Sequence, residues 1–134
     1  MKKSRLDLSF REQKILDLMW DTQQAMTSVE LLEQLSDIMV NATYVHRALN
    51  VLIEKELLTE CGSVRSGKQY ARKFFPSLTR EEFAASLLAE KGIQLQSFQK
   101  VAMAFLKQST DTEQQEVINE LQQIIDQLRG DNNN

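Results

Sequence analysis

The sequence holds one cysteine (Cys61), one histidine (His46) and one proline (Pro76) in 134 residues. A single cysteine excludes an internal disulfide and any Cys-rich zinc site. A metal centre would have to combine His46, Cys61 and carboxylates, and no spacing points to one. A Ser-His-Asp or Cys-His catalytic pair would also have to use His46, so we expect no enzyme activity, no metal and no cofactor. His46 reads more simply as a surface residue, Cys61 as a small core residue, and Trp20 as core packing. No run of about 18 apolar residues is present, which argues against a membrane-spanning helix. The basic start, MKKSRLDLSFRE, has no apolar stretch behind it, so no secretory signal is read and the cytoplasm is the expected compartment.

Positive charge is also scarce over the whole chain, whose net charge is −3. It is unevenly spread. Residues 1–78 carry 11 Lys/Arg against 10 Asp/Glu, and residues 79–134 carry 5 against 9. Contact with phosphate depends on local charge, so the acidic sum does not exclude a nucleic-acid partner.

What is present is mostly helical pattern. Ser9-Phe-Arg-Glu12 is a capping box, followed by Ile15, Leu16, Leu18 and Met19 at helical spacing up to Trp20. Thr27-Ser-Val-Glu30 opens a second, short helix with Val29, Leu32 and Leu35 on its apolar face and Leu31 flanking, fading near Ser36-Asp37. A third helix spans about Asn41–Lys55. Its Val45, Ala48, Leu49 and Leu52 form a buried stripe, and Thr43, His46, Arg47, Asn50 and Glu54 lie opposite. Leu57–Cys61 is then a strand candidate, Gly62-Ser63 a turn signal, Val64–Lys68 a second turn, and Gln69–Phe75 a strand closed by Pro76. Three helices followed by a β-hairpin are the element order of a winged helix-turn-helix.

The remainder is helical. Thr79-Arg-Glu-Glu82 caps a helix bearing Phe83, Leu87 and Leu88 up to Gly92. Phe98, Val101, Ala102 and Phe105 mark another, ending near Ser109-Thr110. Asp111-Thr-Glu-Gln114 can cap the last, in which Val117, Ile118, Leu121, Ile124, Ile125 and Leu128 recur at spacings of three and four. We therefore expect a mainly α protein with a small β-hairpin: a winged-helix domain over residues 1–78, a helical dimerisation domain over 79–130, and a disordered tail over 131–134. Three amphipathic stripes on so few residues cannot all be buried among themselves, which suggests a dimerisation unit; the alternative is that these helices pack back on the winged helix of the same chain. Phe98, Val101, Phe105, Val117, Leu121, Ile124, Ile125 and Leu128 are the expected dimer contacts.

Between Arg65 and Lys73 there are four basic residues (Arg65, Lys68, Arg72, Lys73) and no acidic one. Such residues suit phosphates. On the third helix, Arg47 has the chemistry to pair with guanine, Asn50 with adenine, and Thr43 with a thymine methyl, while Tyr44 and His46 suit bases or phosphates. Lys2, Lys3 and Arg5 are candidates for an N-terminal arm. The expected partners are double-stranded DNA and a second copy of the chain, with no membrane. Two other uses of the pattern stay open: a winged helix serving protein–protein contact, and a MarR-type regulator holding a small molecule between helices.

These residues resemble the penicillinase and methicillin-resistance repressor family, which includes the copper-responsive repressors (the BlaI/MecI/CopY group). The resemblance rests on Glu12, Ile15-Leu16 and Leu18-Met19-Trp20, on Ser28-x-Glu30-Leu31, and on Thr43-Tyr-Val45. It continues through Leu49-x-x-Leu52-x-x-Lys55, Leu57-Leu58, Tyr70, Phe74-Phe75-Pro76 and Glu120-Leu121-x-x-Ile124-Ile125. It implies a homodimeric repressor occupying operators with TACA/TGTA-type inverted repeats. It also implies, for some members, release when a membrane sensor-protease partner triggers cleavage at an Asn-Phe bond. The pair in the similar place here is Ala104-Phe105, and the Cys-x-Cys pair of copper-responsive members is missing. Glu56 stands where the family usually has glycine.

Overall fold

Each capping box in the first half of the chain opens a helix. The computed structural model describes residues 4–132. In it Ser9 Oγ accepts from Glu12 N at 3.2 Å and Glu12 Oε1 accepts from Ser9 N at 3.3 Å, starting α1 (Phe10–Thr22). Thr27 and Glu30 exchange the same pair of bonds at the head of α2 (Ser28–Gln34). Here the inward face differs from expectation. Leu31 is fully buried while Val29 is 57% exposed, with Leu32 and Leu35 half-buried. The chain does not fade after Ser36 but makes one further turn, α3 (Ser36–Met39), which buries Met39 in the core.

Val40 then reverses the chain with φ 61° and ψ −55°, and Asn41 N donates to Met39 O at 2.5 Å. That is a γ-turn of the positive-φ kind, a costly conformation for a β-branched residue. It delivers the chain into α4 (Ala42–Glu54), capped by Asn41 Oδ1, which accepts from Thr43 N and Tyr44 N. Val45, Ala48, Leu49 and Leu52 face inward as expected.

α4 ends in a Schellman motif. Leu57 N donates to Leu52 O and Glu56 N to Ile53 O, both at 2.9 Å, and the apolar pair Leu52/Leu57 is fully buried beneath the turn. Glu56 occupies the left-handed position at φ 62°. Glycine adopts that conformation without the steric cost a side chain pays. Glu56→Gly is therefore expected to raise stability by up to about 1 kcal/mol, read as a higher urea midpoint at unchanged slope.

The hairpin is a single long one: β1 (Leu58–Ser66) pairs antiparallel with β2 (Gln69–Pro76), turning at Gly67-Lys68. Gly62-Ser63 is not a turn. Glu60 pairs with Phe74 and Gly62 with Lys73, so Cys61 is the extra residue of a β-bulge. Cys61 is exposed rather than a core residue. Met26 exchanges backbone bonds of 3.0 and 2.9 Å with Phe74, tying the hairpin base to the segment between α1 and α2.

The first compact unit runs to Lys91, past the boundary expected at residue 78, and so takes in α5 (Arg80–Glu90). Trp20 explains this. Its Nε1 donates to Leu78 O at 3.0 Å, its ring lies 5.5 Å from that of buried Phe83, and Arg80 bridges to Asp21 at 2.5 Å. The Asp21 hydrogen bond raises the pKa of the Arg80 guanidinium further above its ordinary value.

The second unit, from Gly92 onward, holds a 3-10 turn at Leu95–Ser97, α6 (Phe98–Leu106) and α7 (Asp111–Asn132). The cap of α7 is Thr110 with Glu113, one residue ahead of the expected box: Thr110 N donates to Glu113 Oε2 at 2.9 Å and Glu113 N to Thr110 Oγ1 at 3.2 Å. The helix continues through Gly130 to Asn132, so residues 131 and 132 are helical where a tail was expected. One glycine costs a helix about 1 kcal/mol and, without a proline behind it, does not end one. Residues 133 and 134 lie outside the described residues, as do Lys2 and Lys3 of the expected arm.

Candidate nucleic-acid interface

The inward stripe of α4 fixes what its other face presents. With Val45 and Leu49 in the core, Thr43, His46, Arg47 and Asn50 are exposed on consecutive turns. Among the described residues, the side chains of His46, Arg47 and Asn50 make no intramolecular hydrogen bond or ion pair, so their donors and acceptors are free for an external partner. Tyr44 is placed differently. It is half-buried, and the Arg11 guanidinium lies 4.4 Å from its ring centroid.

The hairpin brings its basic residues alongside. Side chains alternate faces along a strand, and directly paired residues share a face. Arg65 pairs with Tyr70, and Arg72 lies two residues further on, so Arg65, Tyr70 and Arg72 occupy one face. Lys73, half-buried, lies on the other, and Lys68 stands at the turn. Arg72 stacks 5.3 Å from the Phe74 ring and reaches Glu60 at 3.5 Å, an exposed pair of small energetic weight. Arg65 Nε donates to Gly67 O at 3.3 Å, which curls it over the turn. A small groove of about 80 Å³ joins the two elements, with His46 and Asn50 on the α4 side, Ala71 and Arg72 on the hairpin side, and Ser28 of α2 at its edge. Leu49, Ile53 and Phe74 line the same groove, so the polar groups of His46, Asn50 and Arg72 meet across a partly apolar seam.

The family model described as penicillinase repressor matches residues 8–127. The chain belongs to the penicillinase repressor family. It is a DNA-binding transcriptional repressor with a winged helix, not an enzyme. The resemblance read from the residues of the first three helices, the hairpin and the last helix is thereby confirmed. No curated protein sequence matches the chain. Among solved structures, it is similar to the adhesin competence repressor AdcR from Streptococcus pyogenes, at 18% identity and TM-score 0.43, over 92% of this chain and 82% of that one. A ZitR variant from Lactococcus lactis in complex with DNA is similar at 21% identity and TM-score 0.44, over 96% and 82%. A MarR family regulator from Neisseria meningitidis is similar at 15% identity and TM-score 0.45, over 92% and 78%. Among the described residues of this family member, no group of three His, Cys, Asp or Glu side chains is placed to hold a metal ion, and no helix is long and apolar enough to cross a membrane.

Two residues beside this surface make contacts that the sequence did not signal. Arg11 donates through Nε to Ile38 O at 3.1 Å besides stacking on Tyr44. Arg5, a candidate for the arm, instead donates through Nη1 to Lys55 O at 3.2 Å. Both contacts join positions far apart in sequence, which periodicity cannot reveal.

Proposed function

We propose that this repressor acts in the cytoplasm as a homodimer on a pseudo-palindromic operator, of the TACA/TGTA type that the family resemblance implies. In this reading α4 enters the major groove, where Arg47 and Asn50 pair with base edges and Thr43, Tyr44 and His46 support them. Arg65 and Arg72, with Lys68 at the turn, neutralise phosphates beside the groove, whereas Lys73 lies on the opposite face of the hairpin. The observation that carries the reading is the exposed, unpaired face of α4 lying against the Arg72 side of the hairpin.

Dimerisation is supported by the second unit, in which no residue of α6 or α7 is buried. Phe98 is 57% exposed and Phe105 71%, while Val117, Ile124, Ile125 and Leu128 are exposed and Val101 and Leu121 half-buried. Leu95, Met103 and Ile118 join the same exposed apolar set. Two-fold pairing through such a surface presents two copies of α4 to successive half-sites.

The test is selection of bound duplexes from a random pool, followed by titration over a range of salt concentrations. Arg47→Ala is expected to cost about 1–3 kcal/mol on the selected duplex and to relax preference at one base position. Lys68→Ala is expected to weaken all duplexes alike and to lower the salt slope by about 0.9 for each phosphate it leaves without a cation. If the protein binds no duplex from the pool even at low salt, the reading is wrong.

A further inference from the structure

Both ends of α4 are held by arginines from one short stretch near the start of the chain. At the N-terminal end, Arg11 from the first turn of α1 donates to the Ile38 carbonyl and sits over the Tyr44 ring. That contact spans the turn in which Val40 holds its positive φ. The carbonyl on one side and the aromatic ring on the other fix the turn relative to α1. At the C-terminal end, Arg5 caps the Lys55 carbonyl. Lys55 answers by donating to Asp7 O at 2.8 Å, with Glu12 at 3.8 Å from its ammonium. The Lys55 and Glu12 side chains are 25% and 13% exposed, while Arg5 and Asp7 lie at the surface. Between the two grips, Leu6 is buried in the core and anchors the stretch.

A basic residue beside a DNA-reading helix is ordinarily assigned to a phosphate. Here one guanidinium donor of each arginine, Arg11 Nε and Arg5 Nη1, is already directed at a backbone carbonyl that belongs to, or leads into, α4. We propose that Arg5 and Arg11 are positioning residues for DNA reading. They set the angle and depth of α4 against the rest of the winged helix, and so determine base discrimination rather than supplying phosphate charge. The proposal rests on the reading of α4 as the base-reading element. A base contact tolerates only a small displacement, because a bidentate pair requires both hydrogen bonds at once. A phosphate contact by a flexible cation tolerates far more.

The two roles separate in experiment because they respond differently to charge and to planarity. The full-length protein is titrated with the duplex that the wild type selects and with a random-sequence duplex of equal length, across a salt series, for wild type, Arg11→Lys, Arg11→Gln, Arg5→Lys and Arg5→Gln. Arg11→Lys keeps the charge but loses the planar stack and the fixed Nε–H. Positioning predicts that it lowers the ratio of selected to random affinity by about fivefold or more, with the salt slope and random-duplex affinity unchanged. Arg11→Gln behaves likewise. Arg5→Gln also loses discrimination at unchanged slope, and Arg5→Lys recovers part of it because an ammonium can still donate to Lys55 O. A phosphate role predicts the reverse: near-wild-type behaviour for both lysine variants, and for the glutamine variants a salt slope reduced by about 0.9 with discrimination preserved. That result, or discrimination unchanged in all four variants, overturns the proposal. Circular dichroism melts of each variant identify any change that comes from unfolding, and the lysine variants stay informative where a glutamine variant is unstable. Absence of duplex selection by the wild type would instead overturn the reading of α4 itself.

Discussion

Replacing Ile124 and Leu128 together by glutamate is expected to turn the repressor into a monomer and to weaken full-operator binding by about 10²–10⁴-fold. Val117, Leu121, Ile124 and Leu128 recur at spacings of four, three and four, the seam of a helix that packs along a partner helix. α7 is 22 residues long, about 33 Å at 1.5 Å per residue, yet within one chain it fully buries no residue of that seam, Leu121 alone being half-buried. Ile124 is 51% and Leu128 58% exposed. Two glutamates on the seam would have to be desolvated without partners in a paired state, a cost larger than an interface of this kind tolerates. The affinity loss follows from linkage. In a dimer the second half-site is met at high effective concentration, while a monomer meets each half-site alone. Sedimentation gives the mass, and titration of a full operator against a single half-site gives the coupling. The monomer should bind both duplexes equally, because the first unit folds around its own core. A variant that stays dimeric would show that the seam is not the interface.

How far the sequence revealed this protein depended on how local each determinant was. The capping boxes at Ser9, Thr27 and Thr79 were legible because donor and acceptor lie three residues apart. The inward stripe of α4 was legible because four apolar residues recur on one face, and with that stripe assigned the outward set Thr43, His46, Arg47 and Asn50 followed. Glu56 stood out for occupying a glycine position, and its φ of 62° agrees. Three features were not legible. Gly62 looks like a turn residue, but pairing with Lys73 across the hairpin keeps it in the strand, and only the partner strand shows that. α5 read as the start of the second domain because nothing local reveals that Phe83 meets Trp20, 63 positions earlier. The four basic wing residues form one run in sequence, yet strand alternation puts Lys73 on the face opposite Arg72. Composition counts charges but does not assign them to faces.

The second large effect tests the clearest of these corrections. Leu31→Ala is expected to destabilise the first unit by about 2–5 kcal/mol, whereas Val29→Ala should change it by no more than about 0.5 kcal/mol. The sequence pattern implies the opposite order, with Val29 inward and Leu31 flanking. Residues two apart on an α-helix lie about 200° apart around its axis, so both cannot face the core. The structure settles the rotation through contacts on either side. Thr27, itself buried, must turn its hydroxyl to Glu30 N to cap the helix. With that cap made, Leu31 lies fully buried in the core cluster, and Val29 points out at 57% exposure. A cavity at Leu31 would sit between α2 and α4, the two helices whose packing sets the pose of the face proposed to read DNA. A domain with only about 5–15 kcal/mol of stability in total feels such a loss strongly. The melting temperature of the Leu31 variant should fall by more than about 10 °C, while Val29→Ala melts with the wild type. If Val29→Ala proves the costlier change, α2 is rotated by about half a turn from its position here, and the surface joining Ser28 to Asn50 and Arg72 has to be redrawn.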